Sequence, residues 1–425
     1  VAVSNMPQLE VARSRRRFQR ISLAGVFFQG GAAAADTATI IPALVHGLTG
    51  STVAVGAAAA ISRFGWLFPQ IIVAYHAQRR TRRLAFYMAG AFGRVACLTA
   101  TGALLWFAHA ASSTTLAIAF FTLWTLYSFV SGIVAVPYND IVARSIPSGE
   151  RSRMLAWRFF GGGLLALAVA YAANHILRAT QFPGNYAGVL FLGAVLLLVS
   201  ATIFVSAGEP SAPADRLMNT GFSRFLRGSL DVLATDCRFR VFLVAQWLGG
   251  AAAIALPFYI LQAEASPSQV ALLLGAQTAG GLLSNPAWGW YGDRRGKREL
   301  LELVATLSAA TPILALMWVA SGQTWAESKL PYFGLVFMLL GAIGNGSTIA
   351  QLGYLMEISP DDRRPAYSGY FNVLAAPAAL LPIAGGAIAQ ATSMAPVFAL
   401  SVAAAMLQFL VVRRLRATPI AGAVP

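Results

Sequence analysis

The chain has 425 residues, of which 57% are hydrophobic and 11% charged, with a mean hydropathy of +0.64 and a formal net charge of +15. Ordinary soluble domains carry about 25% charged residues, so this composition cannot clothe a water-facing surface and excludes a soluble enzyme or binding module. It describes a polytopic membrane protein.

Residues 1–19 form a basic tail with no short apolar core or small-residue cleavage site, so it does not read as a cleaved signal peptide. Twelve apolar segments follow. In the first half they run 20–45, 52–77, 84–109, 115–142, 154–176 and 187–206, and in the second 240–263, 269–291, 300–320, 331–356, 366–390 and 395–413. Each is near or above the ~20 residues that cross ~30 Å of hydrocarbon as a helix. Barrel strands are excluded, because they alternate over ~10 residues whereas these runs are continuously apolar. The stretch 207–239 opens with the turn-forming run GEPSAPAD and reads as a linker between halves. Within it, Phe222, Phe225, Leu226, Leu230 and Leu233 share one helical face beside arginines. That pattern suits a helix on the membrane surface, or one packed on the bundle. Residues 414–425 form a second tail.

Of the 31 Lys and Arg residues, 27 fall in the tails, the linker and every second loop, including four between Arg144 and Arg158. Positive residues stay cytoplasmic, so both termini are expected inside, and the net charge is a topology signal. A nucleic-acid reading would need a soluble basic face with stacking aromatics, which this pattern lacks. Cys97 and Cys237 are too far apart in topology for a disulfide framework, and the histidines have no metal spacing. No cofactor is expected. The Ala- and Arg-rich, Lys-poor composition looks bacterial, which places the chain in a cytoplasmic membrane.

The two halves share one plan. At an offset of 215, Pro42 meets Pro257 and the loop AYHAQRRTRR (74–83) meets GWYGDRRGKR (289–298); at 213, Pro147 and Arg151 meet Pro360 and Arg364. Six plus six helices, a cytoplasmic linker and G-x-x-x-D-R-x-G-K-R after span 8 resemble the major facilitator superfamily over nearly the whole chain. Gly289, Asp293, Arg294, Gly296, Lys297 and Arg298 match that family's loop signature. The resemblance implies an all-α fold of two pseudo-symmetric six-helix bundles, alternating access, a monomeric unit, and a cytoplasmic latch centred on Asp293. The first-half copy has Ala74, Gln78 and Thr81 where the signature has Gly, Asp and Gly. Independently of the family, Gly289 and Gly296 suit close helix approach and a tight turn.

Asp36 is the one carboxylate placed deep inside a span. An ionisable group there normally faces a cavity or a partner, so it is the candidate for a proton or cation site. Arg63 and Arg94 lie at similar depth. The three suit a switchable cluster, in which Asp36 protonates or an anionic substrate competes for arginine, and equally a static ion pair holding spans 1–3. In the family the first, fourth, seventh and tenth helices line the cavity, which selects Gln29, Tyr127, Gln246, Asn345 and Gln351 as substrate contacts. Asp140, Glu357, Asp361 and Asp362 beside Arg144, Arg151, Arg363 and Arg364 read as gate ion pairs, and Glu264 as solvated. The expected function is secondary active transport of a small organic solute, coupled to protons or another ion. Span 4 lacks the arginine, and span 5 the proline, of the family's drug/proton antiporters, yet proton-driven efflux of drugs remains open, as does a transporter-derived sensor.

Overall fold

The computed structural model describes residues 6–77, 80, 82–107, 112–210, 222–322, 328–359 and 364–415; Gln78, Asp361, Asp362 and Arg363 lie outside them. The described residues are overwhelmingly helical and contain no strand. Hydrocarbon leaves no other way to pair every backbone N–H and C=O within one segment.

The helices are α1 (Met6–Ala33), α2 (Ile40–Thr49), α3 (Thr52–Ala77), α4 (Leu84–Phe107), α5 (Ser113–Ser145), α6 (Ser148–Ala179) and α7 (Gly184–Ser206). After the linker come α8 (Phe222–Thr235), α9 (Cys237–Ala252), α10 (Tyr259–Ala263), α11 (Pro267–Arg295), α12 (Lys297–Leu307), α13 (Ala310–Ala320), α14 (Lys329–Ile358), α15 (Arg364–Ala375), α16 (Leu381–Ala391) and α17 (Met394–Arg414). Ten stretches among the described residues are long and apolar enough to cross a membrane. Two of the twelve expected spans are not among these ten. The first, 20–45, is broken between α1 and α2. The eighth, α11, carries Gln269, Gln277, Thr278, Ser284 and Asn285, which dilute its apolar character.

Proline explains where apolar spans break. Pro42 has no N–H, and its ring would clash with the carbonyl of residue 38, so the helix stops at Ala33 and restarts at Ile40 with Pro42 in its first turn. Pro257 and Pro377 sit in the 3₁₀ stretches Ala253–Phe258 and Ala376–Leu380, which interrupt the seventh and eleventh spans.

Contacts group the chain into two compact units. Unit 1 comprises Val1–Leu44, Ile61–Asn219 and Ser266–Gly275, and unit 2 comprises Val45–Ala60, Thr220–Ala265 and Ala276–Pro425. Each unit thus holds a short segment from the other half of the sequence. In unit 1, Asn174 Nδ2 donates to Ser268 O at 2.8 Å. In unit 2, Thr52 Oγ1 donates to Gly386 O at 2.8 Å and Ser51 Oγ to Gln390 Oε1 at 2.7 Å.

In unit 1, α1 packs on α6 and α7, and α4 on α5 and α7. Ile21, Tyr87, Val134, Ile141 and Phe204 fill the core there, and Ser200 Oγ donates to Ala24 O at 2.7 Å. In unit 2, α9 packs on α17, and α12 on α14 and α17, around Phe239, Phe242, Leu300, Tyr354 and Phe371. Helices α11 and α14 approach backbone to backbone. A Cβ on Gly280 would lie 1.9 Å from Met338 O, and one on Gly341 1.8 Å from Gln277 O, so only glycine fits the crossing. In α8, Val232 joins this core and Leu230 is exposed, so the helix packs on the bundle along one side; the side chains of Phe222, Phe225 and Leu226 lie outside the description.

Candidate functional site

Unit 1 gathers aromatic rings and two arginines around Phe28 of α1. Arg94, from α4, is 4% exposed, and its guanidinium carbon lies 4.8 Å from the Phe28 ring centroid. Arg158, from α6, approaches the same ring at 5.4 Å and the Tyr138 ring at 5.2 Å, and its Nη1 donates to Tyr138 Oη at 3.0 Å. Its aliphatic stem crosses Gly25, where a Cβ would stand 2.7 Å from Arg158 Cγ, so the glycine on α1 admits the arginine. Behind them, Tyr87 and Tyr138 flank Phe204 of α7, with centroids at 4.2 and 5.2 Å. Tyr87, Tyr127 and Arg158 are the electrostatic neighbours of Arg94.

Neither arginine forms an ion pair among the described residues, and Arg94 donates no hydrogen bond to any of them. Both Nε atoms are shielded from solvent without a partner. A charged side chain at membrane depth costs about 2.5–3.5 kcal/mol on insertion scales, whereas a cation over an aromatic ring recovers about 0.5–2 kcal/mol. The rings recover only part of that cost, so the two guanidinium charges have no carboxylate to balance them among the described residues.

Asp36 stands apart from this cluster. It occupies the break after α1, and its Oδ1 accepts from Ala38 N at 2.9 Å, Thr39 N at 2.9 Å and Thr39 Oγ1 at 2.8 Å. That is a capping-type arrangement on the turn that leads into α2, in which a carboxylate satisfies N–H groups left over before the helix begins. No ion pair or hydrogen bond joins Asp36 to Arg63 or Arg94 among the described residues. Arg94 faces Phe28, more than two turns back along the chain. Arg63 is exposed on α3, with no ion pair or hydrogen bond among the described residues.

The other expected substrate contacts are spread over both units. In unit 1, Tyr127 stacks on Trp124 at 5.0 Å, and the Gln29 stem lies against Gly162. In unit 2, Asn345 Nδ2 donates to Gly281 O at 3.0 Å and to Asn285 Oδ1 at 3.2 Å, which tethers α14 to α11. Gln246 is half-buried with its Nε2 shielded and unpartnered, and Gln351 is half-buried on α14.

Charges concentrate at the basic helix ends. In unit 1, Arg83 and Arg144 both pair with Asp140, the Arg144 Nε bond measuring 2.8 Å. Arg144 Nη2 also reaches Glu209 Oε1 at 2.6 Å, and its Nη1 donates to Pro210 O at 2.6 Å. Glu209 accepts from Arg83 N at 2.9 and 3.0 Å and from Leu84 N at 2.9 Å, closing the N-terminus of α4. Burial alone raises a carboxyl, but the bonds from Arg144 and from the Arg83 and Leu84 backbone outweigh it and hold Glu209 below the usual carboxylate range. Arg151 instead donates to the carbonyls of Ile146 and Ala143 at the end of α5.

In unit 2, Gly296 takes φ +103° between α11 and α12, a turn that L side chains resist. Nothing lies within 4 Å of a Cβ on Gly289, so that glycine serves no close approach. Asp293 pairs with Lys297 at 2.8 Å but is 79% exposed as a side chain. Arg294 stacks on Trp290 at 5.3 Å. Arg298 pairs with Glu299 and, at 3.3 Å, with Glu302. Glu264, expected to be solvated, is 70% exposed as a side chain and pairs with Lys329.

The family model described as Major Facilitator Superfamily matches residues 239–424, the half that carries the signature loop. That half matches the major facilitator superfamily. The whole fold agrees: it is similar to a nucleoside transporter, NupG (TM-score 0.72, 11% identity, covering 94% of this chain and 99% of that one). It is also similar to a POT family transporter in complex with 5-aminolevulinic acid (0.72, 10%, 94% and 95%) and to a D-xylose-proton symporter (0.67, 13%, 92% and 96%). In sequence it is similar to uncharacterized proteins of Mycobacterium tuberculosis and Mycobacterium bovis, each 24% identical over 398 residues, 90% of this chain and 73% of the relative. The second half thus matches the superfamily, and the fold as a whole is that of multi-span membrane transporters.

Two charged residues of this protein escaped the sequence pattern. Arg158 counted there as one of the loop cations, yet α6 begins ten residues earlier, at Ser148, and carries it inward onto Phe28. Gly25 at the matching level of α1 is the only local hint. Glu209 sits in the turn-like start of the linker, and nothing local announces its bonds to residues 65 and 126 positions away.

Proposed function

We propose that this protein is a secondary active transporter of the major facilitator type that moves a small organic solute by alternating access of two halves, residues 20–206 and 240–413. Protonation of Asp36 is the coupling step. The observation that carries this reading is the break in the first span with a carboxylate inside it. Discontinuous helices with exposed backbone ends are the usual places for coupling ions and substrates at membrane depth. Ionised, Asp36 caps α2 through two backbone N–H groups and the Thr39 hydroxyl. Protonated, it loses the charge that makes those bonds strong and frees the start of α2 to move. In the seventh span a 3₁₀ stretch, Ala253–Phe258, holds Pro257, the residue that the offset of 215 aligns with Pro42.

The charge count supports both termini on the cytoplasmic side of a bacterial cytoplasmic membrane. The Asp140–Arg83–Arg144–Glu209 network then belongs to the cytoplasmic face of unit 1 and the Asp293 loop to that of unit 2. Both act as gate elements. A monomer is the working unit.

The test is flux in sealed proteoliposomes with an imposed pH gradient. Wild-type protein is expected to accumulate solute uphill, while Asp36→Asn keeps solute exchange and loses gradient-driven accumulation. Equal accumulation in the variant removes Asp36 from coupling, and binding without flux for every solute that binds replaces the transporter by a sensor.

A further inference from the structure

The geometry points to an oxyanion-binding site built by Arg94 and Arg158 around Phe28, and hence to an organic anion bearing a carboxylate or phosphate as the solute. The step from site to solute rests on the transport reading above.

Counting donors gives the argument. Each guanidinium offers five N–H groups and cannot shed its charge inside a protein. Arg158 uses one of them, on Tyr138 Oη, and Arg94 uses none among the described residues. Their Nε atoms are closed off from solvent, so water does not take the place of the missing acceptors there. A structural arginine in hydrocarbon is paired with a carboxylate, and one at a span end reaches back to the surface. Arg94 does neither: it sits ten residues into α4, 4% exposed, with a ring face for company.

Placement of the two charges is equally informative. Both guanidinium carbons sit near one ring centroid, at 4.8 and 5.4 Å, so they are within roughly 10 Å of each other, a separation at which like charges repel. The fold maintains that repulsion with dedicated features: Gly25 clears the Arg158 stem, Tyr138 fixes its head, and Phe204 backs Tyr138 and Tyr87. What relieves it is a ligand carrying negative charge and several acceptor lone pairs. Carboxylate and phosphate groups meet guanidinium forks in paired bonds, which a neutral solute or chloride cannot do. The rings of Phe28, Tyr127 and Tyr138 suit an apolar or aromatic body attached to that head group. Asp36, engaged in capping α2, leaves the positive charge uncancelled.

The experiment measures melting temperature of the purified full chain with matched probes: benzoate and phenyl phosphate against benzamide, benzyl alcohol and benzylammonium, all at equal ionic strength. At least one of the two anions is expected to raise the melting temperature at concentrations where the neutral and cationic probes do nothing. Arg94→Met and Arg158→Gln are each expected to raise the required anion concentration by about tenfold to a hundredfold. Arg94→Met without ligand is expected to melt at or above the wild-type temperature, because it removes an uncompensated buried charge; a purely structural arginine gives the opposite sign. Anions no better than their neutral isosteres, or anion stabilisation that survives both substitutions, would overturn the site. Flux separates this proposal from the transport reading. Anion binding without movement across proteoliposomes keeps the site and removes the transporter, while gradient-driven flux of a neutral solute unchanged by Arg94→Met keeps the transporter and removes the site.

Discussion

Replacing Glu209 by glutamine tests whether the linker's first residues hold the basic end of unit 1 together. The carboxylate, 9% exposed, accepts from Arg144 Nη2 at 2.6 Å and from the backbone N–H groups of Arg83 and Leu84 at 2.9–3.0 Å. Glutamine keeps the shape and one acceptor oxygen, loses the charge, and turns an N–H₂ toward donors. Hydrogen bonds to charged groups contribute about 1.5–3 kcal/mol net, and a carboxylate at a helix N-terminus adds about 0.3–1 kcal/mol. Arg144 retains Asp140, so the expected loss is about 2–3 kcal/mol rather than the sum over every bond. Thermal unfolding in detergent between pH 3.5 and 8 reads it. The sign follows from the lowered carboxyl: the unfolded group titrates near ~4.3, so the stabilisation is fully present above that pH and is lost as pH falls through the lower folded value. The gap between wild type and Glu209→Gln should therefore be widest at neutral pH and close in acid. A gap below ~0.5 kcal/mol, within the range of an ordinary surface substitution, or one that stays constant down to pH 3.5, would refute the reasoning.

Gly280→Ala should lower stability by about 1–2 kcal/mol, because overpacking against the Met338 carbonyl exceeds the ~1 kcal/mol gained in helix propensity; Gly289→Ala, with nothing nearby, should gain that ~1 kcal/mol, and the two melting temperatures check the contrast. Asp36→Ala should cost about 0.5–2 kcal/mol through the lost α2 cap, and Asp36→Asn much less, so a stable Asn variant isolates coupling from folding in the flux assay. Asp293→Asn should change melting by less than ~0.5 kcal/mol, since its Lys297 pair is solvent-exposed, and any transport defect in it is then conformational. Asn345→Leu should cost about 0.6–2 kcal/mol by cutting the tether between α14 and α11.

Composition and hydropathy alone determine much here. An 11% charged chain of long apolar runs must live in a membrane as helices, because lipid satisfies no backbone group. The duplication aligns Pro42, in the first turn of α2, with Pro257, in a 3₁₀ stretch of span 7, and the signature loop lies in the half that matches the family while its Gly296 forecasts a turn that only glycine makes easily. These properties are local, or periodic along one strand of text. The pairing of charges is neither. Asp36, Arg63 and Arg94 share a depth, and depth suggested a cluster, but depth leaves helix rotation free. Rotation, set by packing α4 on α5 and α7 and α1 on α6 and α7, brings Arg94 and Arg158 onto Phe28, while Asp36 Oδ1 accepts from the backbone two and three residues ahead. Glu209 likewise finds Arg83 and Arg144 only once the seven helices before it are in place. Which helix faces meet is decided by side-chain packing across hundreds of residues, and that is the part of this protein no stretch of sequence states by itself.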